Sequence, residues 1–483
     1  MHRSPRPARC WIILLALLVL GAAVTWFKFF RDVPQPEFTS EEEWFKYGSF
    51  GGESKTGLPY WIWLEMPRIF PDLLPGPGGY ASLGLAWEPG QDTPVGFSKK
   101  TLGFPRVTEN CALCHTVTYR LTADQPAPTI VVGAPAHSLN VQKLIRFLSA
   151  AASDTRFNAD NFLTVIEKET KLSLLDKLSY RFLIIPLTRK ALIEQGQDFA
   201  WMDSPGRPAW GPGRDDAFNL PKYNVAHMPA DGSTGQVKFG ALWRLDQRAA
   251  PGLWFNWGGE SPAIRTVLVD SSTAFGAAPG HAFEEKLARL GKYLGGLQPP
   301  AWPYPSGPYA IDTAKAEAGR QVYARECASC HEPGGARFAK TIPLSEIGTD
   351  PNRAGTWTQA SADAVNKAIE GEGYDRPLLA KNDGYLAGPL AGLWLRAPYL
   401  HNGSVPSLRE LLEPSGERST VFFSGYDVLD PVNVGFVASG PQAERDGYRL
   451  DTKERGNGNA GHLYGVMLPA VDKASLLEYL KTL

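Results

Sequence analysis

The sequence predicts a mainly α-helical fold: two domains with long loop-rich insertions, preceded by one N-terminal transmembrane helix. Three observations predict it. Residues 10–27 form an uncharged apolar run, just long enough to cross a hydrocarbon core. Apolar residues recur at helical spacing in 141–150, 162–187, 281–297, 312–326 and 472–483, with no confident strand run between them. A Gln-Pro-Pro-Ala-Trp-Pro-Tyr-Pro stretch at 298–305 divides the chain, because proline blocks helix and removes backbone donors.

Composition narrows the class. With 43% hydrophobic and 20% charged residues, the 483-residue chain is globular, not disordered. Its 49 basic and 50 acidic residues nearly cancel, which removes the electrostatic case for binding nucleic acid.

At the N-terminus, Arg3, Arg6 and Arg9 precede the apolar run, and Trp26, Phe27, Phe29 and Phe30 close it. The arginines stay cytoplasmic and the aromatics form an interfacial belt. Residues 1–9 are then cytoplasmic and 10–30 a transmembrane anchor. The alternative is a cleaved signal peptide ending at Gly21-Ala22-Ala23. Both readings export the chain; the anchored one places its soluble domains in the periplasm, attached to the inner membrane. The apolar stretch 182–187 is too short to span and reads as core.

Residues 31–298 form the first domain. It opens with an acidic surface lead-in (Glu41, Glu42, Glu43); 60–80 reads as loop with short apolar segments, and 204–280 as loops, from their glycine, proline and aromatic residues. Helices are expected at 141–150, with Leu144, Phe147 and Leu148 on one face, and at 281–297, with Phe283, Leu287, Leu290 and Leu294 on one face. The proline-rich linker covers 299–310. The second domain, 311–483, begins with a helix near Asp312 and ends with one at 472–483, for which Asp472 is the expected N-cap.

The chemistry sits in two motifs. Cys111-Ala-Leu-Cys114-His115 and Cys327-Ala-Ser-Cys330-His331 both read C-x-x-C-H, the spacing of covalent haem c attachment. Two thiols take the haem vinyl groups and the adjacent histidine reaches the iron. A four-cysteine zinc site and a thioredoxin-like pair are the competing readings, but zinc does not require histidine after each pair, and neither pair starts a helix after an evident strand. Two covalently bound haems are expected, one per domain.

The sixth iron position decides between electron transfer and oxidant chemistry. After His331 the chain offers His401, His462 and Met467. His462 is the first candidate for the C-terminal haem, His401 the second, Met467 the third. His401 can instead hydrogen-bond a propionate or the backbone. For the N-terminal haem the candidates are His137, His227, His281, Met66, Met202 and Met228. His137 lies on a Gly-Ala-Pro-Ala loop and reads as a ligand, a distal group beside a bound oxidant, or a surface histidine. His281 reads as surface.

Gly319-x-x-x-Tyr323-x-x-x-Cys327 resembles the first helix of class I cytochromes c, in which the glycine permits close helix crossing. The stretch Leu395-Arg-Ala-Pro-Tyr-Leu-His401-Asn-Gly-Ser-Val-Pro-Ser-Leu408 resembles the signature of bacterial di-haem cytochrome c peroxidases, and its His-Asn-Gly-Ser-Val-Pro variant is similar to the rubber-oxygenase branch of that superfamily. Trp210-Gly-Pro-Gly-Arg214, Gly348-Thr-Asp-Pro-Asn352 and the Gly456–Gly465 run with His462 are similar to the same branch.

The resemblance implies two cytochrome c-like haem domains with their haems close across the interface. The C-terminal haem would be the six-coordinate electron reservoir, with His462 as its distal ligand. The haem on His115 would meet peroxide or dioxygen on its open side. Arg214 and Arg396 suit propionate pairing, surface salt bridges being the alternative. One of Trp243, Trp254 or Trp257 would relay electrons, buried packing being the alternative. Calcium between the domains is a further expectation. The peroxidases place a methionine ligand soon after the His-Asn-Gly motif, whereas 407–425 contain none. The function expected is an oxidoreductase served by a periplasmic or membrane electron donor or acceptor. The alternative is a pure electron carrier with both irons closed.

Overall fold

The computed structural model describes residues 7–248 and 252–483. Arg3 and Arg6, assigned above to the cytoplasmic side, lie outside the described residues. Helix and sheet are mixed, with 43% of the chain helical, which corrects the mainly α expectation. The strands are short antiparallel pairs between helices. The largest sheet orders Asp32–Val33, Phe97–Leu102, Phe104–Glu109 and Leu58–Pro59 side by side. Lys99, Lys100 and Pro105 interrupt apolar alternation in its central hairpin, so the pattern does not read as strand.

The apolar N-terminal run forms the helix Pro7–Phe29. Its exposed side chains include Trp11, Leu17 and Leu20, and 11–29 is long and apolar enough to cross a membrane.

Other expectations are corrected locally. The helix Tyr60–Ile69 lies within 60–80 and buries Ile62, Trp63 and Met66, while Ile264–Ala274 is a helix inside 204–280. The acidic lead-in becomes the helix Glu41–Tyr47, capped by Ser40, and buries Trp44 and Phe45. The final helix is Ala470–Leu480, so Asp472 lies in its first turn instead of capping it. Residues 182–187 are not all core: Ile184 and Ile185 are buried, but Phe182, Leu183 and Leu187 face out.

The helices Val141–Ser153, His281–Gly296 and Thr313–Glu326 form where apolar spacing put them. Asp312 caps the last of these by accepting from Ala314 and Lys315. That helix crosses Ala470–Leu480, and a Cβ on Gly319 would fall 1.9 Å from the Ser475 carbonyl oxygen. Tyr323 and Tyr479 pack beside the crossing with centroids 5.1 Å apart.

The stretch 299–310 contains neither helix nor strand, but the apolar cores do not divide there. One cluster joins Trp44, Phe45 and Leu287 to Trp357 and Ile369; another joins Val117 and Trp243 to Trp394, Leu408 and Leu476. A two-pronged ion pair from Arg120 to Asp427, at 2.8 and 2.6 Å, reinforces the contact between the two halves.

Candidate functional site

The first C-x-x-C-H motif occupies a turn between the strands Phe104–Glu109 and Thr116–Tyr119. Asn110 shapes that turn. Its amide donates to the Lys46 and Gly48 carbonyls at 3.2 Å, and its Oδ1 accepts from the Ala112 N–H at 2.9 Å. The second motif comes directly after the helix Thr313–Glu326, with Ala328–His331 forming one further helical turn. Different local folds thus present the same five-residue pattern.

The two motif histidines are oriented alike. His115 Nδ1 lies 2.8 Å from the Gly240 carbonyl oxygen, and His331 Nδ1 lies 2.8 Å from the Gly388 carbonyl oxygen. A donating Nδ1–H fixes the tautomer and leaves Nε2 as the ligand atom. Burial pushes the His115 pKa down to about 4 and lowers that of His331, so both imidazoles are neutral, as metal ligation requires.

His462 faces His331, with ring centroids 6.2 Å apart. Its loop is tightly held. The His462 N–H donates to the Ile347 carbonyl at 2.7 Å. The Arg418 guanidinium donates to the carbonyls of Asn459 at 2.6 Å and Gly461 at 2.9 Å. Arg418 lies over forty residues earlier in the chain, outside any motif, and sequence reading missed it. Met467 is 88% exposed. His401 is buried and stacks on Tyr385 at 3.9 Å, with its Nε2 unpartnered.

His137 is buried, which removes the surface reading, and stacks on Phe436 at 3.7 Å. Neither of its ring nitrogens has a partner, and burial lowers its pKa to about 3. It lines a cavity with Arg214, Lys238, Ala397, Pro398 and Gly403, so the signature loop of the second half closes against the first. Met66 and Met202 are buried in apolar clusters, and His281 is exposed beside Glu285. His227 sits at a positive φ of 49° in a loop.

Four cations near these sites donate to carbonyls or lie on rings and form no ion pair among the described residues. Arg214 donates to the Trp210 carbonyl, to the Asn402 carbonyl at 3.1 Å and to Asn457 Oδ1 at 2.8 Å. Lys238 donates to the carbonyls of Arg396 and Pro398, and Arg396 to those of Pro389 and Ala391. Arg248 lies over the Phe255 ring, and its charge bears on Arg396. Among the described residues none of the four pairs with Asp or Glu, which corrects the salt-bridge alternative for Arg214 and Arg396. Burial lowers their pKa values, Lys238 to about 7 and Arg396 to about 9. A buried cation without a counter-charge is costly, so the arrangement fits a bound dianionic or polycarboxylate group. Lys238 and Arg248 carry no motif and were missed in the sequence.

Trp243 is fully buried at the seam. Its indole N–H donates to the Val132 carbonyl at 3.1 Å, while its ring packs on Gly392 and beneath Arg396. Trp257 donates to the Lys238 carbonyl and is half-buried, as is Trp254. Among the described residues no group of three or more His, Cys, Asp or Glu converges as a metal cluster. The two cysteine pairs, all four of them described, therefore do not assemble as the zinc reading requires.

The chain is similar to known proteins. It is 27% identical to the uncharacterized protein y4iJ of Sinorhizobium fredii, over 99% of this chain and all of that protein. It is 30% identical to y4iM of the same organism over 31% of this chain and 38% of that protein. Residues 384–423 match the family model described as RoxA-like, cytochrome c-like. That segment supplies Gly388, which orients His331, together with Arg396 and His401. Its similarity to a RoxA-like cytochrome c domain implies a c-type cytochrome with covalent haem c.

Proposed function

We propose that the chain is a membrane-anchored di-haem c-type cytochrome exported to the periplasm. In this reading it is an oxidoreductase that meets peroxide or dioxygen at the His115 site, with the His331 site as its electron-transfer centre. The observation that carries the reading is the contrast between two similarly oriented histidines. His331 has an imidazole opposite it, whereas the histidine expected to compete for the other iron, His137, is stacked on Phe436.

The residues fit two haems. His331 and His462 would hold one iron between them: their ring centroids lie 6.2 Å apart, and the Nδ1 contact to Gly388 leaves His331 Nε2 free to ligate. The thiols of Cys111 and Cys114, and of Cys327 and Cys330, are free for thioether bonds. Arg214, Lys238, Arg248 and Arg396 supply the positive charge that haem propionates need. When bound, haem supplies one-electron redox chemistry and, where a coordination position is open, a place for a small oxidant.

The chain's own residues do the rest. Gly240 and Gly388 hold the two histidines in one tautomer. His137, a neutral ring with unpartnered nitrogens that lines the cavity with Arg214 and Lys238, is the distal group that would hydrogen-bond a bound oxidant. Trp243 spans the seam as the electron relay. A periplasmic or membrane protein would be the chain's electron donor or acceptor.

One observation favours a second reading, a pure carrier with both irons closed. The two unpartnered nitrogens of His137 also suit a sixth ligand, if the ring leaves Phe436. Stopped-flow mixing of the purified holoprotein with peroxide, and of its reduced form with dioxygen, separates the two. Rapid spectral change at one haem supports the oxidoreductase. No change with either oxidant, with electron exchange to a mediator intact, supports the carrier.

A further inference from the structure

The stretch 182–187 reads as core in the sequence, yet across 174–187 most large apolar side chains face out. Leu174, Phe182 and Leu187 are 74%, 66% and 62% exposed, and Leu175, Leu178 and Leu183 are also exposed. The other side of the same stretch is buried through Tyr180, Ile184 and Ile185. The backbone explains how one face stays apolar across two turns of different pitch. A π-helical turn, Tyr180–Ile184, joins the helices Leu174–Ser179 and Ile185–Asp198. The extra residue of a π-turn rotates the succeeding helix about its axis, so Leu183 and Leu187 stay on the side of Leu174, Leu178 and Phe182.

This face begins at the foot of the N-terminal helix. Lys28 Nζ reaches Asp176 Oδ1 at 2.6 Å. The foot is fixed to the globular part: Phe29 meets Phe104 edge-on at 6.3 Å, and the Gly103 N–H donates to the Arg31 carbonyl at 2.8 Å. A Cβ on Gly103 would lie 2.3 Å from the Phe29 Cα, so only glycine allows this approach. The apolar surface of Trp11–Phe29 therefore passes without a flexible hinge to that of 174–187. Lys171, Lys177, Arg181 and Lys190 border the patch against one acid, Asp176, within 171–190, while the Arg189 guanidinium turns inward to the Ala152 carbonyl. Lys177, Arg181 and Lys190 also pair with Glu167, Asp160 and Glu194 beyond the patch.

An apolar helix face with basic flanks, lying beside a membrane-entering helix, has the chemistry of an interfacial segment. We propose that the apolar face of residues 174–187 lies in the headgroup–acyl boundary of the leaflet from which Pro7–Phe29 emerges. The globular part is then held by two membrane contacts in a fixed orientation. The inference rests on the reading of Pro7–Phe29 as a retained anchor, and the test separates the two.

The full chain is reconstituted in phosphatidylcholine–phosphatidylglycerol vesicles doped with a lipid bearing a diazirine in its acyl chain. After photolysis, adducts are mapped by peptide mass spectrometry. Adducts on both 11–29 and 171–190, several-fold above those on the exposed peptide around Val432, support the proposal. Leu178→Glu, Phe182→Glu and Leu187→Glu together should reduce labelling of 171–190 to that background with haem content unchanged. Adducts confined to 11–29 overturn it. If the mature N-terminus maps beyond the apolar run while 171–190 is still labelled, the retained anchor fails and the interfacial contact stands.

Discussion

The rings of His331 and His462 face each other 6.2 Å apart, and the second of them is held by an arginine remote in sequence. Arg418 grips the Asn459 and Gly461 carbonyls, while His462 itself sits at a positive φ of 49°, a backbone region disfavoured outside glycine. The loop keeps this conformation because hydrogen bonds over-determine it.

Arg418 is therefore expected to act as a positioning residue. Arg418→Ala should leave haem attachment intact and give a part high-spin signal at the C-terminal haem. Arg418→Lys should recover little of the low-spin state, because an ammonium cannot span the same carbonyls. Electron paramagnetic resonance of the ferric protein reads both outcomes.

Gly319→Val should destabilise the fold. The nearest atom to its Cβ would be the Ser475 carbonyl oxygen at 1.9 Å, so the two crossing helices would have to separate. The cost is about 1–3 kcal/mol or more, as for overpacking in a close-packed core. Denaturant unfolding of the holoprotein checks this.

Arg396→Leu should lower the midpoint potential of the C-terminal haem. Arg396 acts on His331 through its charge, and removing a cation near iron favours the oxidised, more positive state. The expected shift is on the order of tens of mV for a partly screened interaction. Redox titration followed at the low-spin band measures it.

The potential of the N-terminal haem should depend on pH near neutrality. Burial, and then the charge of Asp216, push the Asp215 carboxyl up to about 7, and its charge is felt at Cys114. As pH rises through that value the carboxylate forms and stabilises oxidised iron, so the potential falls and then levels off. Asp215→Asn should flatten the slope, which potentiometric titration over a pH series reads.

Much of this was legible in the residues. The haem motifs and the helices around Phe283 and Leu144 can be read from spacing alone, because each depends on neighbours within one or two helical turns; the crossing at Gly319, which meets Ser475 far along the chain, came only from the resemblance to class I cytochromes c. The hairpin 97–109 was hidden by its lysines and Pro105. Arg418, Lys238 and Arg248 carry no local pattern; tertiary packing brings them to the sites from distant loops. The outward face of 174–187 could not be told from core, because helical periodicity shows that one face is apolar but not what covers it.

In the proposed reading the two haems differ: the one on His115 would be open, and the one on His331 would be closed by His462. Carbon monoxide titration of the fully reduced holoprotein tests it most directly, since an open ferrous haem binds the gas readily and a bis-histidine haem does not. One equivalent should bind per two haems in the wild type, and a second equivalent in His462→Ala. No binding in the wild type, or a stoichiometry unchanged in His462→Ala, would contradict the claim.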